Sequence, residues 1–141
     1  MGLFACGLLA LWLFIGSYAG TWEDSAGNWA RAYHGQTKPA VVTVHHSWYC
    51  RTPHFFYEAA YYFELSMPQS YLKNWVEAEK LTQVKGDLPL EISLPEKPVW
   101  FLPGRVASYD LWIAKSDLRP TFRLYQDRAS HRVFVCDSSG M

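Results

Sequence analysis

The chain has 141 residues, of which 50% are hydrophobic and 18% are charged, which excludes a disordered chain and limits it to one domain plus a terminal segment. Its 13 basic residues balance its 13 acidic residues, so the composition offers no basic surface and argues against nucleic acid as a partner. Aromatic residues make up 17% of the chain, more than a core of this size needs.

The N-terminus begins with a charge-free apolar run, Leu3–Ile15. Ser17 and Ala19 have the spacing that signal peptidase reads, so residues 1–19 are predicted to form an apolar helix that is a signal peptide. The same segment is close to the lower length limit of a spanning helix, so an uncleaved membrane anchor is the competing interpretation. Either way, the rest of the chain is predicted to be extracytoplasmic: periplasmic, secreted, or anchored with the domain outside.

Export changes the expectation for the cysteines. Once residues 1–19 are set aside, only Cys50 and Cys136 remain. A single pair in an oxidising compartment predicts one disulfide bond between them. The alternative is two unrelated buried thiols.

Residues 20–39 are rich in Gly, Ser, Thr, Asn and Gln and are predicted to be a connector. Trp29 and Tyr33, four residues apart, indicate a short helix around residues 28–33. The remaining residues, 40–141, are predicted to form the folded domain.

The first predicted strand, Ala40–Cys50, begins with β-branched residues. Alternation along an extended strand places one set of residues on a common face: Val42, Val44, His46, Trp48 and Cys50. His45 and His46 then point to opposite faces unless the strand contains a bulge. After a turn at Pro53, residues 54–65 alternate as a strand, although two alanines and two glutamates leave a helix open.

The best helix pattern runs from Gln69 to about Val84, with Ser66 and Pro68 marking its start and Gly86 its end. Short strands are predicted after it, at residues 88–94, 109–114, 121–126 and 132–137, the last two as a hairpin. Because no crossover helices separate these strands, we expect a single α+β domain. It would have an antiparallel sheet of about five to seven strands, with one main helix on a face and the apolar helix before it.

No motif for catalysis, phosphate binding or zinc binding is present in the sequence. His46 and Cys50 share a strand face but are about 13 Å apart, which is poor metal geometry. The chain is therefore predicted to be non-enzymatic, with no catalytic residues, no cofactor and no metal site.

The apolar leader and the aromatic surplus predict a domain that binds another protein, as an accessory subunit of an envelope or membrane assembly. If residues 1–19 are not cleaved, the membrane is a second partner. The alternative is a small-ligand or carbohydrate-binding domain that uses exposed aromatic residues, and a second alternative is an enzyme without a recognisable motif. The candidate binding residues for a partner or ligand are His45, Trp48, His54 and Phe56.

Overall fold

The computed structural model describes residues 20–22, 25–51, 59–84, 97–101, 109–114 and 121–139 of the chain. Within these residues, seven β-strands form one sheet and two α-helices accompany it. In chain order the elements are β1 (Gly20–Trp22), α1 (Ser25–Ala32), β2 (Thr43–Arg51), β3 (Ala59–Ser66), α2 (Gln69–Ala78), β4 (Leu81–Val84), β5 (Tyr109–Ala114), β6 (Arg123–Asp127) and β7 (Val133–Ser139).

The strands lie in the order β1-β2-β3-β7-β6-β5-β4, and every neighbouring pair is antiparallel. After β3, α2 leads to β4 at the edge of the sheet, and β5, β6 and β7 then return strand by strand to β3. The predicted α+β class with an antiparallel sheet is therefore confirmed. The predicted apolar helix of residues 1–19 lies outside the described residues.

The core occupies both faces of the sheet. One face carries the helices, where Trp29 of α1 and Leu72 of α2 are buried against strand residues that have no exposed surface: Phe63, Leu65, Val133 and Val135. We call this the helix face. The opposite face is covered by residues 97–101, whose Phe101 is buried against Ala60, Tyr62, Tyr125, Phe134 and Cys136.

Most of the predicted strands that fall on described residues are present. Residues 59–65 are extended in β3, which excludes the helical alternative for them, while residues 54–58 lie outside the described ranges. The predicted strand at residues 109–114 coincides with β5, and the terminal hairpin is β6 with β7. The predicted strand at residues 88–94 also falls outside the described part of the chain.

The prediction that the main helix continues to Val84 is wrong, because α2 ends at Ala78. Lys80 adopts a left-handed backbone conformation with φ of 53°, which stops the helix. The next four residues form β4, in which Leu81 pairs with Ala114 and Val84 with Leu111 of β5. Pairing with a neighbouring strand thus overrides the helical pattern of this segment.

The start of α2 also differs from the predicted capping pattern. Pro68 occupies the N-cap position, and no side chain caps the first turn. Ser66 belongs to β3 instead, and its hydroxyl lies 2.9 Å from Nε2 of His45.

The short helix predicted in the connector is present as α1, one turn earlier than expected. The rings of Trp29 and Tyr33 lie 4.4 Å apart, as their spacing predicted, and Trp29 packs on Phe63 of β3. Thus part of the predicted connector packs on the sheet. Among the described residues, no helix combines the length and the apolar character that crossing a membrane requires.

No disulfide bond joins Cys50 and Cys136 in the structure, and both side chains are buried. They belong to β2 and β7, and β3 runs between these two strands. Two ladder spacings separate the strands by about 10 Å, whereas the Cα atoms of a disulfide lie within about 7 Å of each other. The intervening strand therefore keeps the two sulfur atoms apart.

Candidate functional site

A β-bulge in β2 determines where the histidine pair points. Val44 pairs with Leu65 of β3 and His46 pairs with Glu64, so His45 is an extra residue between two consecutive partners. The predicted alternation therefore fails at this point. Val44 packs with the helix-face core, whereas Trp48 packs with the core on the opposite face.

The bulge places both imidazoles against β3, where each contacts a different side chain. Nε2 of His45 lies 2.9 Å from the Ser66 hydroxyl, and Nε2 of His46 lies 3.7 Å from Oε2 of Glu64. Ser66 and Glu64 alternate along β3 and so share a face. Without a bulge the two histidines would point to opposite faces. The bulge in β2 places them on the same side instead.

Glu64 connects this pair to the neighbouring strand. Its Oε1 accepts a hydrogen bond of 2.7 Å from Nη1 of Arg132 at the start of β7, while its other oxygen faces His46. The Glu64 side chain is only 16% exposed, compared with 38% for Arg132 and 55% for His46. A partly buried carboxylate therefore holds two exposed basic groups in fixed positions.

An indole completes the surface. The ring of Trp100 stacks on that of His46, with centroids 5.3 Å apart and planes inclined by 24°. The preceding residue, Val99, is 89% exposed. We call His46, Glu64, Val99, Trp100 and Arg132 the indole–imidazole surface.

The charges around His45 favour its neutral form. Burial lowers the pKa of this imidazole below its ordinary value of 6.5, and the positive charges of Arg132 and His46 lower it further, whereas Glu64 opposes them. A neutral imidazole has one donor and one acceptor nitrogen, which suits its contact with the Ser66 hydroxyl. Among the described residues, no group of His, Cys, Asp and Glu side chains is arranged to hold a metal ion.

Two of the four predicted binding residues, His45 and Trp48, lie among the described residues. His45 lies beside the indole–imidazole surface, but Trp48 is partly buried in the core below it. Its indole Nε1 is buried and has no hydrogen-bond partner among the residues that the structure describes. His54 and Phe56 lie outside the described residues. Trp100 reaches His46 and Arg132 reaches Glu64 only through the fold, and no local pattern marks either residue.

A cavity of about 510 Å³ opens at the end of the sheet where β3 finishes and α2 begins. We call it the end pocket, and its lining side chains are Met67, Gln69, Asp110, Gln126, Arg128 and His131. Two contacts organise it. Nε2 of Gln126 donates to Oε1 of Gln69 at 2.9 Å, and Arg128 donates to Oδ1 of Asp110 through Nη2 at 2.9 Å and Nε at 3.1 Å.

The β6–β7 turn supplies one wall of this pocket. Asp127 accepts hydrogen bonds from the backbone N–H of Ala129 and the hydroxyl of Ser130, and the second of these is the main reason that the pKa of its carboxyl lies below the usual value. His131 follows in a left-handed conformation with φ of 57°. This well-bonded turn fixes His131 at the mouth of the pocket.

Comparison with known proteins gives no family for the chain. No protein-family model, no curated protein and no solved structure matches it. Its function is therefore inferred from its own geometry.

Proposed function

We propose that the chain is an exported or membrane-anchored, non-enzymatic domain that binds another protein, as an accessory subunit of an envelope or membrane assembly. The observation that carries this proposal is the indole–imidazole surface. Its Val99 is the most exposed large hydrophobic side chain among the described residues. Trp and Arg are enriched among the residues that dominate binding at protein interfaces, and Val99 adds exposed apolar surface next to Trp100 in the chain.

Ring contacts within the protein hold Trp100 in position. Trp100 is held from one side by the stacked ring of His46 and from the other by an edge contact with Phe101, at a centroid distance of 5.9 Å. Phe101 itself is only 2% exposed. Because these contacts already restrict the Trp100 ring, the indole would lose little further conformational entropy when a partner binds.

The buried carboxylate of Asp137 has a structural explanation. Asp137 accepts hydrogen bonds from the hydroxyls of Thr121 and Tyr61, at 2.7 Å and 3.3 Å, and from the backbone N–H of Ser138. A carboxylate engaged by three donors tethers β7 to β3 and to the segment before β6. This bonding explains its burial without a catalytic role.

The extracytoplasmic location rests on the apolar run Leu3–Ile15 alone. Cys50 and Cys136 add no support for an oxidising compartment, because no disulfide joins them in the structure. The alternative of a carbohydrate or small-ligand site built from aromatic residues around residues 45–56 stays a prediction, and so does the enzyme alternative.

The proposal is tested with the full-length chain, purified with its N-terminal segment intact from the cells that make it. Val99→Asp places a charge next to Trp100 at a position that is 89% exposed and so lies outside the core. We expect this variant to lose a stoichiometric protein partner, with affinity reduced at least tenfold, about 1.4 kcal/mol. Val41→Asp is the matched control, because Val41 is 51% exposed but does not belong to the surface.

Two measurements decide the outcome: quantitative co-purification, followed by light scattering of the purified complex. Retention of the partner by the wild-type chain and Val41→Asp, but not by Val99→Asp, supports the proposal. A monomer with no stoichiometric partner in all three preparations would overturn it.

A further inference from the structure

The end pocket has the size of a small-molecule site. Its volume of about 510 Å³ lies within the range of known ligand pockets. It is built from four parts of the chain that only the fold brings together: the β3–α2 junction, the start of β5, the end of β6 and the β6–β7 turn. It does not share a residue with the indole–imidazole surface.

Gln126 at this pocket has more hydrogen-bonding capacity than the protein uses. The residue is 6% exposed, and its Nε2 donates to Gln69. Its Oε1 has no hydrogen-bond partner within the part of the chain that the structure describes. This oxygen can therefore accept a hydrogen bond from a donor that enters the pocket.

The pocket offers both donors and acceptors to such a ligand. Nε2 of Gln69 can donate two hydrogen bonds, while Oε1 of Gln126 and Oδ2 of Asp110 can accept. Hydroxyl groups, which donate and accept at once, match this mixture. Met67 adds an apolar contact for the C–H groups between the hydroxyls.

The charges of the pocket favour an uncharged ligand. Asp110 and Arg128 neutralise each other through two hydrogen bonds, and their side chains are 31% and 56% exposed. A carboxylate or ammonium group in the ligand would have to compete with this pair. A neutral molecule can bind beside it and leave it intact.

We infer that the end pocket is a binding site for a small, uncharged molecule with several hydroxyl groups, such as a monosaccharide or a cyclitol. Gln126 and Gln69 hold adjacent hydroxyls, Asp110 accepts a third, and Met67 contacts the ring. This site is independent of the proposed protein interface, and either can exist without the other.

The test is a titration of the isotope-labelled full-length chain with D-glucose, D-galactose, D-mannose, N-acetyl-D-glucosamine and myo-inositol, followed by two-dimensional NMR. We expect at least one of these probes to shift the side-chain amide signals of Gln69 and Gln126 in a saturable manner at millimolar concentration. Acetate and methylammonium are the charged comparison probes.

Gln126→Leu and Gln69→Ala should each weaken this binding at least tenfold. Gln69 is exposed, so we expect Gln69→Ala to keep the fold. This variant still tests the site if Gln126→Leu, which removes a buried amide, fails to fold. Gln83→Ala, which removes an exposed glutamine of β4 outside the pocket, should bind like the wild type.

Three results would overturn the inference. The first is the absence of a saturable shift with every neutral probe. The second is binding that Gln69→Ala leaves unchanged. The third is tighter binding of acetate or methylammonium than of any neutral probe.

Discussion

Asn28 shows how a single polar residue fixes a helix on this sheet. Its side chain has no exposed surface, its Nδ2 donates to the Ser47 hydroxyl at 3.0 Å, and its Oδ1 accepts from Arg31 at 3.1 Å. The Arg31 guanidinium in turn lies 5.7 Å from the centroid of the Tyr49 ring. This chain of contacts ties α1 to β2 at one defined position.

We therefore expect Asn28→Ala to lower the free energy of unfolding by about 1–3 kcal/mol, because it leaves the buried Ser47 hydroxyl without this partner. Urea unfolding followed by circular dichroism measures the change. Asn74→Ala, at an exposed position of α2, is the control and should stay within about 0.5 kcal/mol of the wild type. Equal effects of the two substitutions would show that the buried contact contributes nothing specific.

The two buried cysteines make a second prediction at this scale. Both are about 2% exposed, and burial raises the pKa of the Cys136 thiol, which therefore stays neutral and unreactive. We expect iodoacetamide to modify Cys50 and Cys136 only after the protein is denatured. No reducing agent should be needed for this reaction, because no disulfide joins the two residues. Peptide mapping by mass spectrometry checks this, and a crosslinked peptide joining the two residues in native protein would refute the separation of the two strands seen here.

At the scale of elements, the bulge in β2 has a consequence for insertions and deletions. His45 is the extra residue, so its deletion would leave Val44 and His46 adjacent and still on opposite faces. Deletion of Ser47 would instead move every residue on one side of it to the wrong face. His45 is thus the one residue of β2 whose deletion leaves the alternation of the other side chains unchanged.

We expect deletion of His45 to cost about 1 kcal/mol, the size of its lost contact with Ser66. Deletion of Ser47 should abolish cooperative unfolding altogether. Thermal unfolding of the two variants side by side measures this difference. If both deletions destroy the fold, the bulge is required for folding rather than merely accommodated.

The α2–β4 region shows how one stretch can contain a helical pattern and end as a strand. Leu81 and Val84 continue the apolar spacing of α2, but they pair with β5. The left-handed Lys80 separates the two elements. Nothing in the local sequence marks this break, because a lysine seldom adopts that conformation.

At the scale of the whole molecule, residues 97–101 cover the face of the sheet opposite the helices. Phe101 makes edge contacts with Tyr62, Tyr125 and Phe134, at centroid distances between 4.9 and 6.2 Å. These three rings come from β3, β6 and β7. One side chain therefore packs against both halves of the sheet.

Phe101→Ala should destabilise the protein by about 3–5 kcal/mol, because it opens a cavity among these rings. Val99→Ala, two residues away in the same segment and 89% exposed, should change the free energy of unfolding by less than about 0.5 kcal/mol. Urea denaturation of both variants measures the contrast. A small effect of Phe101→Ala would mean that the segment rests on the sheet without stabilising it.

The indole–imidazole surface and the end pocket were beyond sequence reasoning for a shared reason. The His45–His46 doublet is visible in the sequence. Trp100, which stacks on His46, and Arg132, which donates to Glu64, lie far along the chain and reach this region only after the sheet forms. Of the predicted binding residues, His45 lies next to this surface, where it contacts Ser66. The other described one, Trp48, belongs to the core.

The sequence by itself determined the strand alternation in β3, β5, β6 and β7, the presence of both helices, and the α+β class. These features follow from local periodicity, which the chain carries whatever its neighbours are. The tertiary structure alone decided the strand order, the bulge at His45, the end of α2 and the distance between the two thiols. Each of these depends on which distant strand lies alongside, and that choice is made by contacts between residues far apart in the chain.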